Sequence, residues 1–138
     1  MKLSQSVTYA VHAVLRLAEN RNSGPISCAR LAELGNMPER FLLQILRDLA
    51  KQGILISYRG GRGGFTLERE PEAISLLEMI EAIDGPMTSG VPMKNNFPGQ
   101  TGDKLQMALH HIAEQTRKQL EAIRLSDLIS GALLARLE

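Results

Sequence analysis

The fold of this chain is decided by the stretch PERFLLQILRDLAKQGILISYRGGRGGFTLER, residues 38–69. Residues 38–53 carry apolar side chains at helical spacing between a proline, which suits a first helical turn, and a glycine, which suits a helix end. The next residues place two short β-prone runs, ILIS and FTL, on either side of a loop with four glycines and two arginines. This loop has two alternative interpretations, a phosphate cradle for a nucleotide or a wing that touches DNA.

The segments before this stretch indicate two more helices. Residues 4–20 have apolar residues at three- and four-residue steps after Ser4, a suitable N-cap. Residues 27–35 begin at Ser27, a second N-cap, and we expect this short helix to end at Gly35. Three helices followed by a hairpin, with a short glycine-containing turn between the second and third, is the order of a winged helix-turn-helix.

The remainder of the chain predicts a second helical part. Residues 75–84 form a helix with a capping-box pattern, and residues 85–102 are rich in Gly, Pro and Asn, which favours an irregular loop. A long helix follows over residues 103–124, with a last short helix behind it. The predicted fold is therefore mainly α with a small β-hairpin, divided into a winged helix-turn-helix domain (1–84), the loop (85–102) and a C-terminal helical unit (103–138).

The third helix is predicted to be amphipathic in a way that suits DNA. At 100° per residue its leucines and Ile45 cluster on one side and belong in the core. The opposite side carries three cations and one amide with no acid on its centre line, namely Arg40, Gln44, Arg47 and Lys51. Arg can bond guanine bidentately and Gln can do so with adenine, while the remaining cations suit phosphates. An ordinary solvated helix face is the alternative.

The glycine loop fits a wing better than a nucleotide site. It contains neither GxxxxGK[ST] nor GxGxxG, and it joins strand to strand, so no helix N-terminus follows it to receive a phosphate. Gly60 and Gly63 permit a close approach to a surface. We therefore predict that Arg59 and Arg62 contact phosphates or a minor groove; the alternative is a plain hairpin with two solvated arginines.

The long helix predicts a homodimer. Its apolar stripe has near-heptad spacing and consists of Leu105, Leu109, Ile112, Thr116, Leu120 and Ile123. The winged domain is complete without most of this helix, so pairing with a second copy would bury the stripe. The alternative is that the helix folds back on its own domain.

Composition narrows the class of protein. The chain has 138 residues and a net charge of +1, but residues 1–70 hold ten Lys/Arg and six Asp/Glu, whereas residues 71–138 hold six and nine. The basic half hints at an anionic partner. The single cysteine excludes an internal disulfide, and no signal peptide or run of about 18 apolar residues is recognisable. We expect a cytoplasmic protein that does not enter a membrane.

These residues resemble a known family. The run over residues 38–69, above all the wing motif RG-x-GG-[FY] at residues 59–65, is similar to the signature of the Rrf2 (Rrf-two) family of bacterial regulators, of the IscR, NsrR and CymR type. The first helix and SLLEMIEAIDG are similar too, so the resemblance covers residues 1–125. It implies a homodimeric winged helix-turn-helix repressor or activator that binds a DNA operator. It also implies that Arg40, Leu43 and Gln44 face bases and that Arg59 enters the minor groove.

The chain departs from the family in two places. Some relatives carry Glu directly before the Gln, where this chain has Leu43, which could touch a thymine methyl or face the core edge. Cluster-bearing relatives place three cysteines in the loop that corresponds to residues 85–102, and this loop has none. Iron–sulfur clusters need thiolates, so we expect no cluster and no metal. Cys28 remains a candidate redox thiol beside the more ordinary interpretation of a small buried residue. A sensing role for His12, His110 or His111 stays open.

Other function classes have less support. The sequence shows no nucleophile–base pair and no ligand set at metal spacing, so we expect no enzyme. A winged-helix protein-interaction module that does not bind DNA is the alternative to a regulator. A regulatory protein or a small molecule could supply the signal.

Overall fold

A computed structural model of the protein describes residues 1–130. In this range, six α-helices and one antiparallel hairpin occur in the order three α-helices, two strands, three α-helices. Their bounds are α1 Gln5–Glu19, α2 Cys28–Gly35, α3 Glu39–Lys51, β1 Leu55–Tyr58, β2 Gly64–Leu67, α4 Leu76–Asp84, α5 Thr101–Ala122 and α6 Leu125–Ile129. The predicted mainly α class with a small hairpin is confirmed. The last part of the predicted C-terminal helix, residues 131–138, lies outside the described residues.

Side-chain caps define the helix starts that the sequence indicated. The Ser4 hydroxyl accepts a hydrogen bond from the backbone N–H of Val7 at 3.2 Å, and Ser27 caps α2 in the same way. At α4, the Ser75 N–H donates to the Glu78 carboxylate at 3.0 Å while the Glu78 N–H donates to Ser75 Oγ at 3.1 Å. This reciprocal pair is the predicted capping box.

The turn between α2 and α3 corrects one detail of the prediction. Gly35 is still helical, and Asn36 takes the left-handed conformation at φ 50° that ends the helix. Asn tolerates this conformation better than most residues because its short polar side chain bonds locally. A Cβ at Gly35 would lie 2.5 Å from Met37 Cε, a contact that the flexible Met37 side chain would have to move to relieve.

Two apolar clusters hold the chain together. The main cluster joins α1, α2, α3, the hairpin and α4, with its fully buried members including Val14, Leu31, Leu42, Leu46, Leu49, Ile54, Ile74, Met79 and Leu125. The second, smaller cluster joins α1 and α4 to the end of α5 and consists of Val7, Leu77, Ile80 and Leu120.

The end of the long helix returns to the winged part of the chain. Leu76 N–H donates to the Ile123 carbonyl and Leu125 N–H donates to the Ile74 carbonyl, both at 2.8 Å. Leu125 is completely buried in the main cluster. The division into residues 1–84, 85–102 and 103–138 stays a prediction, but the junction after α5 packs with α1 and α4 instead of standing apart from them.

The hairpin is fixed against the start of α2. β1 and β2 pair from Leu55↔Leu67 to Tyr58↔Gly64. Ile26 and Phe65 exchange two backbone hydrogen bonds, of 3.1 and 2.9 Å, so a third short segment extends the sheet. Gly64 makes this contact possible, because its φ is +150° and a Cβ would collide with the Ile26 carbonyl. The wing therefore has one orientation relative to the helix pair.

Gly64→Ala should lower the free energy of unfolding by about 1–3 kcal/mol, because alanine is strained at this φ and its Cβ meets backbone. Urea unfolding followed by circular dichroism measures the change. Gly61→Ala is the matched control: Gly61 lies in the same loop without a positive φ and has no heavy atom within 4 Å of an added Cβ. We expect the control to stay within about 0.5 kcal/mol of wild type. Equal effects of the two changes would contradict the proposed role of Gly64.

Candidate nucleic-acid interface

The exposed face of α3 is the one that the helical period predicted. Leu42, Ile45, Leu46 and Leu49 are buried and anchor the helix. The opposite face presents four solvent-exposed side chains, Arg40, Gln44, Arg47 and Lys51. The burial of one face leaves the other free for a partner, which is the arrangement that a DNA-contacting helix requires.

Leu43 lies at the edge of this face. Its side chain is half-buried and packs against the main apolar cluster. It also lines the groove between α3 and the wing. Both alternatives considered for Leu43, a base contact and a place at the core edge, are compatible with this position, so its contact with a base stays a prediction.

A groove of about 490 Å³ brings α3 and the wing together. Leu43 and Arg47 line it from α3, and Tyr58, Arg59 and Gly60 line it from the wing. Gly63 and Gly64 form part of its wall as well. The structure thus places Arg47 and Arg59, which are 12 positions apart in the sequence, on the same depression.

The two wing arginines lie on different sides of the wing. Arg59 lines the groove beside α3, whereas Arg62 lines a second depression of about 500 Å³ with Pro25, Ser27 and Arg30. Gly63 borders both depressions. The glycine loop by itself predicts the same contacts for Arg59 and Arg62. The two are separated because the chain turns sharply between them, where Gly60 has φ +99°.

The interface cations are unpaired. Over residues 1–130, ion pairs involve Arg16, Arg21, Arg30, Arg69, Lys94 and Arg117. In that part of the chain, no ion pair or hydrogen bond engages the side chains of Arg40, Arg47, Lys51, Arg59 or Arg62. Unneutralised cations on one surface produce a local positive potential that attracts polyanions.

Gln44 is the one polar side chain of this face with a partner. Its Nε2 donates a hydrogen bond of 3.0 Å to Asp48 Oδ1, one turn further along α3. Asp48 lies off the centre line of the exposed stripe, so the helical period alone does not place it among the residues of that stripe. Its spacing of four residues from Gln44 is the signal that could have identified the pair.

Cys28 lies at the first turn of α2 and lines the groove with Arg47 and Arg59. Its Sγ is 3.6 Å from the Glu39 carbonyl, to which it donates. Burial raises the pKa of the Cys28 thiol, the nearby Glu39 carboxylate raises it further, and Arg47 opposes them. A raised thiol pKa reduces the thiolate fraction at neutral pH and with it the reactivity toward oxidants. The redox role of Cys28 stays a prediction that this environment does not favour.

The three histidines lie on two different helices. His12 is exposed on α1, and His110 and His111 are exposed on α5, where the His111 ring lies 3.1 Å from Gln115 Nε2. No group of three His, Cys, Asp or Glu side chains suited to a metal ion is found among residues 1–130. In the same range, no helix is long and apolar enough to cross a membrane.

The residues of the stripe predicted for dimerisation differ in their exposure to solvent along α5. Leu105, Leu109 and Ile112 are exposed in the single chain, with Ile112 58% accessible. The Thr116 hydroxyl donates to the Ile112 carbonyl, and Ile123 is half-buried. Leu120 is only 7% accessible because it packs against Val7, Leu77 and Ile80 of the same chain. The first half of the stripe is therefore free for a partner, and Leu120 contributes to the chain's own core.

Comparison with known proteins assigns the chain to a family. The Rrf2 family model, described as iron-dependent transcriptional regulators, matches residues 3–131. The chain belongs to the Rrf2 family. Its membership confirms the resemblance inferred from the wing motif, and it makes the chain a DNA-binding transcriptional regulator and not an enzyme.

Relatives of this Rrf2 protein match nearly its whole length. The transcriptional regulator CymR of Bacillus subtilis is 28% identical over 130 residues, covering 94% of this chain and 91% of its own. IscR of Klebsiella pneumoniae is 31% identical over 133 residues, covering 95% and 81%. The structure of B. subtilis CymR, a global cysteine regulator, superposes with a TM-score of 0.75 at 27% identity over 93% of this chain and 95% of CymR. IscR of T. potens gives a TM-score of 0.73 at 26% identity, over 96% of this chain and 88% of its own.

Proposed function

We propose that this Rrf2 protein is a homodimeric regulator that binds a specific DNA operator through α3 in the major groove and the wing on the minor groove or backbone. The observation that supports this most is the shared groove of Arg47 and Arg59 beside a helix face of unpaired cations. A rigid helix about 10–12 Å across fits the major groove, and a glycine-rich loop beside it reaches the neighbouring backbone.

Each interface residue has a role that follows from its chemistry. Arg40 and Gln44, near the N-terminal half of α3, suit guanine and adenine, and Leu43 suits a thymine methyl. Arg47 and Lys51 suit phosphates, which hold the helix in register. Arg59 suits a narrow minor groove, where the negative potential is strongest, and Arg62 suits the phosphates on the other side of the wing. Gly60 and Gly63 leave room for the backbone to approach the duplex.

The dimer part of the proposal depends on α5. A helix of 22 residues is about 33 Å long. Its exposed side chains Leu105, Leu109 and Ile112 lie on one face and leave apolar surface in water when the chain is alone. Two copies joined along this face would present two recognition helices to half-sites about one DNA turn, roughly 34 Å, apart.

The residues of this chain do not fit the iron cofactor that the family description implies. Residues 85–102 contain no cysteine, and the single thiol, Cys28, lies in the groove between α3 and the wing. A cluster of the usual kind needs several thiolates at one place. We therefore propose that this member works without an iron–sulfur cluster, under the control of a regulatory protein or a small molecule.

Arg47→Ala and Arg59→Ala should each weaken operator binding about tenfold or more, because each removes a charge-assisted contact with DNA. The slope of log affinity against log salt should fall by about 1 for each change. Fluorescence anisotropy with a labelled duplex over a range of salt concentrations measures both quantities. Lys118→Ala, an exposed and unpaired cation on α5, serves as the control and should leave the slope unchanged. Duplex binding that is insensitive to both arginine changes would refute the interface.

Light scattering at micromolar concentration should give a mass near twice 15.2 kDa. Ile112→Glu should shift the protein toward the monomer, because a carboxylate replaces a side chain at the centre of the exposed stripe. Met107→Glu is the matched control, since Met107 is also apolar and 72% accessible but points about 140° away from Ile112 around α5. A wild-type monomer, or equal dissociation of the two variants, would overturn the proposed face.

Protein purified without oxygen should contain no stoichiometric iron or acid-labile sulfide, since the chain supplies one cysteine. Elemental analysis and a visible absorption spectrum measure this, with a cluster-bearing relative purified in parallel as the positive control. Two or more iron atoms per chain with matching sulfide would contradict the cluster-free proposal.

A further inference from the structure

The hydrogen bond between Gln44 and Asp48 determines which end of the Gln44 carboxamide faces outward. An ionised carboxylate only accepts hydrogen bonds, so the amide atom 3.0 Å from Asp48 Oδ1 has to be the nitrogen. Turning the carboxamide by 180° would place Oε1 against the carboxylate, and two acceptors would face each other. Gln44 Oε1 is therefore directed away from Asp48.

We propose that Asp48 is a positioning residue that presets Gln44 to bind adenine and to reject guanine. This inference rests on the proposed function, in which α3 lies in the major groove. Asp48 itself needs no contact with DNA, since it acts through the carboxamide it holds.

The number of free hydrogen-bonding groups on Gln44 supports adenine as the base that it binds. The Gln44 amide has two N–H groups and one carbonyl oxygen, and Asp48 uses one N–H. One N–H and the oxygen remain, and these are the donor and acceptor that adenine requires for N7 and N6–H₂. Guanine presents two acceptors, N7 and O6, at the same edge. To satisfy both, Gln44 would have to withdraw its N–H from Asp48, which would leave the carboxylate without a partner.

The charge of Asp48 affects the affinity for DNA separately from its hydrogen bond to Gln44. Asp48 is half-buried and, within residues 1–130, forms no ion pair with the neighbouring Arg47 or Lys51. Its negative charge therefore lowers the positive potential of α3 and opposes the attraction of any duplex. Removing it should strengthen binding to non-specific DNA while discrimination between adenine and guanine becomes weaker. If Asp48 only maintained the structure, its removal would not raise the affinity for non-specific DNA while lowering the discrimination between adenine and guanine.

The experiment begins with wild-type protein and a random duplex pool, from which the bound sequences are selected. Gln44→Ala then identifies the base pair contacted by Gln44, as the position where the preference for A·T over G·C is lost. At this position, the affinities of wild type, Asp48→Ala, Asp48→Glu and the double variant Gln44→Ala/Asp48→Ala are compared for the A·T and G·C operators and for an unrelated duplex. Thermal melting checks that each variant is folded.

Wild type should prefer A·T by about 5- to 150-fold, the range of a good bidentate contact. Asp48→Ala should reduce this preference about three- to tenfold, the net contribution of a typical hydrogen bond, and should bind the unrelated duplex more tightly. Asp48→Glu retains an acceptor and a charge one turn from Gln44, so it should restore most of the preference. In the Gln44→Ala background, removing Asp48 should leave the A·T to G·C ratio unchanged and still tighten non-specific binding.

Two results would overturn the inference while leaving the proposed function intact. In the first, Asp48→Ala tightens binding to every duplex but leaves the A·T preference at its wild-type value. In the second, Asp48→Ala changes the preference equally with and without Gln44. Failure of the proposed function looks different, because the wild-type protein would then select no sequence from the pool.

Discussion

The burial of one side of α3 is the constraint on which the rest of the structure depends. Leu42, Ile45, Leu46 and Leu49 enter the core between α1, α2 and α4, and a helix is too stiff to turn one part of its surface independently of the rest. Each remaining side chain therefore has a fixed direction at 100° steps from the buried ones. Rotation by a single residue would bring Arg47 into the core in one direction and Gln44 with Asp48 in the other, at a cost far above that of losing one apolar contact. The orientation of the cationic face is thus a consequence of the core.

The wing adds a second surface to this face because it is attached at two points. β1 follows directly from the end of α3, and the Ile26–Phe65 hydrogen bonds join β2 to the chain just before α2. With both strands held, the loop between them has to lie beside the helix pair. The same attachment divides the wing arginines, so that Arg59 adjoins α3 while Arg62 adjoins α2. α3 and the wing therefore line one continuous groove.

Features that depend on local patterns could be predicted from the sequence, and features that depend on distant partners could not. The serine N-caps, the amphipathic face of α3 and the hairpin follow from spacing over a few residues, and the structure has all of them. The burial of Leu120 and Leu125 against α1 and α4 depends on the direction in which the chain returns after a long helix, which no local pattern encodes. The pairing of Asp48 with Gln44 does not follow from the helical period, because that period gives the angle of each residue around the helix and not its hydrogen-bonding partner. The division of Arg59 from Arg62 required the actual course of the loop through Gly60.

Charge in this protein acts through its distribution and not through its total. A net charge of +1 predicts no attraction to DNA, and even the basic half, residues 1–70, has only four more Lys/Arg than Asp/Glu. Most arginines outside the interface are neutralised locally, as in the pairs Arg21–Glu70, Arg69–Glu78 and Arg117–Glu81. Pairing of this kind cancels most of the electric field of these arginines beyond a few ångströms. Salt screens the remaining field over a distance of about 10 Å. The five unpaired cations of α3 and the wing therefore dominate the potential at their own surface, and the two acids of α3, Glu39 and Asp48, temper it.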